Sequence, residues 1–143
     1  METAASLPGT EALTLLGIDA PDQRSAIERL LAGLPASAWQ RVTRSLGVSD
    51  QQLADAVSIS VSTLTRRKRE GRFTPEESDR LLRLAELAAR AETVFTTPER
   101  LHVWFTTPNQ QLDGQLPLSY ARTSIGAGEV ARVLERILDG SPA

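Results

Sequence analysis

The sequence predicts an all-α protein of about six or seven helices. Three observations predict it. Apolar residues recur at i, i+3, i+4 in segment after segment, helix-capping residues stand at the segment starts, and no stretch alternates convincingly as a strand. Taken in order, residues 1–20 read as a flexible lead. Asp22 to Leu31 reads as a helix with Ile27, Leu30 and Leu31 inward, ended by Gly33-Leu34-Pro35. The next helix turns Trp39, Val42 and Leu46 inward and stops at Gly47. Ser49 with Gln52 forms a capping box for a helix burying Leu53, Ala54 and Val57. Ser58 to Ser60 make a turn, and Ser60 caps a helix from Val61 to Glu70 that Gly71 ends. Thr74-Pro75-Glu76-Glu77 is the clearest helix start in the chain, with a cap, proline at N1 and glutamate at N3.

That helix runs to about Val94, and its apolar residues cover more than one stripe, so it expects a second packing partner, either another copy or the chain's own tail. Thr97-Pro98-Glu99 starts a short helix with Leu101, Trp104 and Phe105. Pro108 to Pro117 reads as loop, and Gly128 to Leu138 as a last amphipathic helix.

Charge is distributed in blocks. The net charge is −2 over 143 residues, yet residues 39–72 hold seven cations against three anions, between two acidic flanks. Phosphate neutralisation depends on the local cluster rather than the chain average. Fifteen of the sixteen cations are arginine, the side chain suited to bidentate contact with phosphate or guanine. There is no cysteine, which excludes disulfides and thiolate sites. No apolar run approaches the roughly 18 residues of a membrane span, and the first ten residues lack the features of a signal peptide, so a cytoplasmic location is expected.

The segment Ser49 to Arg69 has the shape of a helix-turn-helix. Ala54 is the small residue that lets the second helix cross closely. Leu53, Val57, Ile59, Val61 and Leu64 fall where the pair must bury side chains. The second helix then offers Ser60, Ser62, Thr63, Thr65, Arg66 and Arg67 to a major groove, with Lys68, Arg69 and Arg72 continuing the cationic run towards phosphate. A cationic helix end is also favoured by the macrodipole alone. Ser58 departs from the pattern, because glycine usually occupies that position of the turn.

Nothing in the chain equips it for catalysis. His102 is the sole histidine, and Glu99 beside it does not make a triad. Glu76, Glu77 and Asp79 form a helix N-terminal charge cluster stabilised by the dipole. No metal-ligand cluster and no phosphate-cradling glycine loop is present, so no metal, cofactor or enzymatic activity is expected.

From Thr106 to Leu118 the chain is a turn-rich module, TTPNQQLDGQLPL, preceded by Trp104 and followed by Thr123, Gly126, Val130 and Leu134. With Thr107-Pro108-Asn109, Leu112, Gly114 and Pro117-Leu118, this part resembles the toxin-binding domain of the Xre/MbcA/ParS antitoxins. The upstream half resembles the Xre-like helix-turn-helix domain of the same family through Gly33-Leu34-Pro35, Leu53-Ala54, Thr63-Leu64-Thr65-Arg66-Arg67 and Pro75-Glu76-Glu77-Ser78-Asp79-Arg80-Leu81. The likeness covers about residues 24–140 and departs at Ser58, at His102, where a cation is usual, and at Asp113 beside Gly114.

The resemblance implies a helix-turn-helix DNA-binding and dimerisation domain over 21–94 and a toxin-binding domain over 95–143. It further implies an antitoxin of a type II pair that binds a RES-domain toxin, a fold akin to ADP-ribosyltransferases acting on NAD⁺. Such an antitoxin covers the toxin's active site, dimerises, and represses its operon by binding operator DNA. The last helix, from Glu129 to Leu138, and the tail Asp139 to Ala143 would lie at the toxin's pocket. Toxin contacts are expected from Asn109, Gln110, Gln111, Gly114, Tyr120, Arg122, Thr123, Arg132 and Arg136. The alternative is a stand-alone transcription regulator whose C-terminal module serves dimerisation or another partner.

Overall fold

Side-chain caps set where the helices start. In the computed structural model, which describes residues 10–140, Asp22, Ser49, Ser60, Thr74, Thr97 and Thr123 each accept a hydrogen bond from a backbone N–H in the first turn of the helix they precede. The capping boxes at Ser49–Gln52 and Thr74–Glu77 are both complete. Gly47 and Gly71 end their helices in the left-handed conformation. Nine α-helices result among the described residues: α1 Thr10–Leu15, α2 Gln23–Ala32, α3 Ser37–Leu46, α4 Asp50–Ala56, α5 Val61–Glu70, α6 Pro75–Val94, α7 Pro98–Phe105, α8 Pro117–Tyr120 and α9 Ser124–Leu138. A 3-10 turn spans Gln110–Leu112, and the described residues contain no strand.

Helix α6 is the beam on which the others rest. It buries Leu81, Leu84, Ala85, Leu87, Ala88 and Ala91 and packs against α1, α2, α3, α7 and α9. The second partner expected for its wide apolar surface is therefore this chain itself, with α1 and α9 as the principal neighbours. One continuous core runs from Ala12 to Leu134 and crosses position 95 without a break. Trp39 stacks on Phe73 with ring centroids 5.8 Å apart, and Phe105 meets Trp104 edge-on at 5.1 Å.

Several sequence expectations change. The flexible lead over 1–20 is not what residues 10–20 form: α1 buries Ala12 and Leu13, and Leu16 and Ile18 follow them into the core. A helix this short is marginal alone and persists through tertiary packing. Residues 1–9 of that lead lie outside the described residues, as do 141–143 of the C-terminal tail. In α2 no residue is fully buried. Ala26 and Leu30 lean on the core, while Ile27 and Leu31 are 48% and 67% exposed, so the inward stripe is rotated by one position. Helix α9 starts at Ser124 rather than Gly128, because Thr123 caps it, and Leu138 at its end is exposed. The stretch read as loop contains the 3-10 turn that buries Leu112, and α8 follows it at Pro117.

Two backbone positions carry particular demands. Ser58 sits at φ 58°, the left-handed conformation that its place in the turn requires. Gly126 allows α8 and α9 to meet: a Cβ there would stand 1.8 Å from the Tyr120 carbonyl oxygen. Gly126→Ala is expected to lower stability by about 2 kcal/mol through overpacking, read as a reduced urea midpoint.

An ion pair ties α5 to the start of α6. Arg67 donates from Nε to Glu77 Oε1 at 2.7 Å and from Nη2 to Oε2 at 2.9 Å, with the two side chains 14% and 10% exposed. The Arg67 guanidinium, with the first-turn hydrogen bonds, holds the Glu77 carboxyl below its usual value of about 4.5, and the Glu77 carboxylate in turn raises the pKa of Arg67. A carboxyl depressed in the folded state contributes stability that is present above about pH 4.5 and is lost as pH falls through the folded value. Glu77→Gln should therefore cost about 2 kcal/mol at neutral pH. It should also flatten the fall in urea midpoint below about pH 4.5, as measured by denaturation over a pH series.

Candidate nucleic-acid interface and partner-binding surface

Helix α5 follows the turn Val57–Ser60 and crosses α4, its main neighbour. Leu64 is its single buried residue. Ser60 and Thr63 are joined: the Ser60 hydroxyl accepts from Thr63 N–H and donates to Thr63 Oγ1, both at 3.0 Å. Thr65 donates to the Val61 carbonyl at 3.1 Å and remains exposed. Arg80 braces the turn from α6 by donating to the Val57 carbonyl at 3.0 Å.

The structure sorts the expected DNA-contacting residues by face. Ser62, Thr65, Arg66 and Arg69 are exposed and lie at i, i+3, i+4 and i+7, one stripe of the helix. Arg66 and Arg69 have no ion-pair or hydrogen-bond partner among the described residues. Arg67 stands apart from this stripe. It lies three residues after Leu64, on the inward side, and its guanidinium is committed to Glu77, with a further contact to Glu70 at 3.2 Å. Arg72 is exposed, and its Nη1 donates to the carbonyls of Ala32 and Gly33 at 3.2 and 3.0 Å, which ties the α5–α6 connection to the end of α2. Lys68 pairs with Asp50 at 3.2 Å, but both side chains are half exposed, a contact that water and phosphate can exchange. Asp50 is itself held by the Trp39 indole N–H at 2.9 Å, which keeps its carboxyl below the ordinary range.

The helical spacing from Leu64 could have placed Arg67 inward. Its partner could not be read, because Glu77 lies ten residues on and across the Gly71 turn. Sequence reasoning also missed Ser78, whose buried hydroxyl accepts from Leu34 N–H at 2.7 Å.

The expected partner-binding residues of the C-terminal part divide between scaffold and surface. The Asn109 side chain accepts from Gln111 N–H at 2.8 Å and caps the 3-10 turn, and its own N–H donates to the Gln115 carbonyl at 3.0 Å. Thr123 caps α9. Gly114, at φ 74°, is exposed beside Asp113, which is itself left-handed at φ 57°. Tyr120 donates its hydroxyl to Asp113 at 3.2 Å, and that carboxylate pushes the phenol's pKa up. Gln110, Gln111, Arg122, Arg132 and Arg136 are exposed. Arg136 donates twice to Gln111 Oε1, at 3.2 and 2.9 Å, so the 3-10 turn and α9 share one surface. Arg132 pairs with Glu129 on its own helix.

Between the α4–α5 turn and α8–α9 runs a groove lined by Ser58, Ser119, Arg122 and Ile125, the last 81% exposed. His102 is a joint between helices, its Nδ1 3.3 Å from the Leu46 carbonyl oxygen. Among the described residues no cluster of histidine and carboxylate side chains could hold a metal ion, and no helix is long and apolar enough to cross a membrane.

Comparison with known proteins follows the same division. Residues 25–86 match the antitoxin Xre-like helix-turn-helix domain, and residues 90–140 match the antitoxin Xre/MbcA/ParS C-terminal toxin-binding domain. A protein named Antitoxin Xre from Pseudomonas putida is 31% identical over 127 residues, spanning 86% of this chain and 79% of the relative. Another of that name, from Yersinia enterocolitica, is 27% identical over 127 residues, spanning 87% of this chain and 86% of the relative. The fold is similar to a chain in the crystal structure of the M. tuberculosis MbcT–MbcA toxin–antitoxin complex, with a TM-score of 0.61 and 22% identity over 76% of this chain and 96% of that one. With both halves matched in order, the chain belongs to the Xre/MbcA/ParS family of antitoxins, an Xre-like helix-turn-helix domain followed by a toxin-binding domain.

Proposed function

We propose that this protein neutralises a cognate RES-domain toxin, an NAD⁺-consuming or ADP-ribosyltransferase-like enzyme, by covering its active site. We propose further that it represses its own operon by binding operator DNA through α5, as a homodimer within the toxin–antitoxin complex. It acts by binding rather than catalysis, needs no cofactor, and works in the cytoplasm, where its operator is. The observation that carries the reading is the toxin-binding domain match over residues 90–140. The likeness to a chain of a toxin–antitoxin complex supports it.

The toxin would meet the surface that α9 shares with the 3-10 turn, through Gln110, Gln111, Gly114, Tyr120, Arg122, Arg132 and Arg136, while Asn109 and Thr123 shape the backbone beneath. Three exposed arginines there suit an acidic toxin surface. DNA would meet the stripe of Ser62, Thr65, Arg66 and Arg69. Ser60 and Thr63 serve mainly to start the helix, and Lys68 can join by releasing Asp50.

Co-expression with the product of the adjacent reading frame tests the central statement. A stable complex that suppresses the neighbour's NAD⁺ consumption is expected; no complex and undiminished consumption would overturn it. Truncation is a poor tool, because α9 contributes Val130, Val133 and Leu134 to the shared core. Surface charge reversal is better. Arg132→Glu with Arg136→Glu should weaken the toxin complex by about tenfold or more, read by surface plasmon resonance, and leave DNA binding unchanged. Arg66→Ala with Arg69→Ala should weaken operator binding and lower the slope of log K against log salt by about 2, with neutralisation intact, read by fluorescence anisotropy.

A further inference from the structure

We propose that the Arg67–Glu77 ion pair is the positioning device of the recognition helix, fixing the roll of α5 about its own axis and so which base edges Ser62, Thr65 and Arg66 meet. The inference rests on the DNA-binding reading above and adds which residues aim that surface.

The seat of α5 is thin. Of its ten residues only Leu64 is buried, and its main packing is on α4 alone. One buried side chain anchors a helix at a point and leaves its rotation about that point weakly defined, so a second constraint is needed. Arg67 supplies it one turn further along the same inward stripe. A guanidinium forked on a carboxylate by two near-parallel hydrogen bonds, at 2.7 and 2.9 Å, fixes a plane as well as a distance. With side chains 14% and 10% exposed, water competes little for either group.

The acceptor is itself rigid. Glu77 Oε1 also accepts from Thr74 N–H at 3.0 Å, and Glu77 N–H donates to Thr74 Oγ1 at 3.1 Å. The next residue, Ser78, is fully buried and bound to Leu34 N–H. Glu77 is thus fixed to the first turn of the beam helix, and through it Arg67 refers the pose of α5 to the core. The Lys68–Asp50 contact, half exposed on both sides, is too open to do the same. Neither Arg67 nor Glu77 has to touch nucleic acid for this role.

The test uses the full-length protein, the duplex immediately upstream of its own reading frame, and a scrambled duplex of equal length and composition, with anisotropy titrations over a salt series. Glu77→Gln and Arg67→Lys are each expected to weaken binding to the upstream duplex by about tenfold. Affinity for the scrambled duplex, and the salt slope, should stay at wild-type values, because the exposed cations Arg66 and Arg69 remain. Arg66→Ala should instead weaken both duplexes and lower the slope by about 1. Where Glu77→Gln loses its far-ultraviolet helical signal, Arg67→Lys decides, since it keeps the charge and loses only the fork. An unchanged ratio of the two affinities in a folded variant overturns the proposal, as does equal loss on both duplexes. If the wild-type protein does not distinguish the duplexes, the DNA-binding reading falls, and this inference with it.

Discussion

Helix α6 carries apolar side chains over more of its circumference than one neighbour can cover, and water excluded from one stripe must also be excluded from the other. The chain meets that demand internally, by laying α1, α2 and α3 with α7 and α9 around the same twenty-residue helix. Everything else hangs from this arrangement. The helix-turn-helix is braced from it by Arg80 and Glu77, and the toxin-binding part is closed onto it by α9. The two regions that match separate domain families are thus two surfaces of one core.

Around that core the polar groups divide by solvent access. Arg67 points inward and is engaged by the carboxylates of Glu77 and Glu70, whereas Arg66 and Arg69 face water without partners among the described residues. Four consecutive cations thus contain two kinds of residue. The distinction follows from helical geometry: positions 64 and 67 share one face, positions 62, 65, 66 and 69 the other.

Much of the fold was legible because its signals are local. The caps at Ser49, Ser60, Thr74 and Thr97, and the stops at Gly47 and Gly71, were all readable within a few residues of sequence. So was the left-handed demand on Ser58. The misses share the opposite property. Nothing local distinguishes α1 from a frayed lead, because its stability comes from α6, more than sixty residues away. The outward turn of Ile27 and Leu31 depends on where α2 rests. The engagement of Arg67 and Arg72 depends on groups brought near by the fold, and so does the need for glycine at position 126, where the Tyr120 carbonyl intrudes. On the C-terminal surface the sequence named exposed groups correctly at Gln110, Arg122, Arg132 and Arg136 but could not tell that Asn109 and Thr123 are occupied in capping.

The continuity of the interior across position 95 has a consequence for how the molecule is lost. Because α5 is tied to α6 through Glu77 and α9 packs on the same helix, an opening that unseats α6 withdraws support from both surfaces together. A protease that cuts α6 during such an opening therefore removes both faces in the same event.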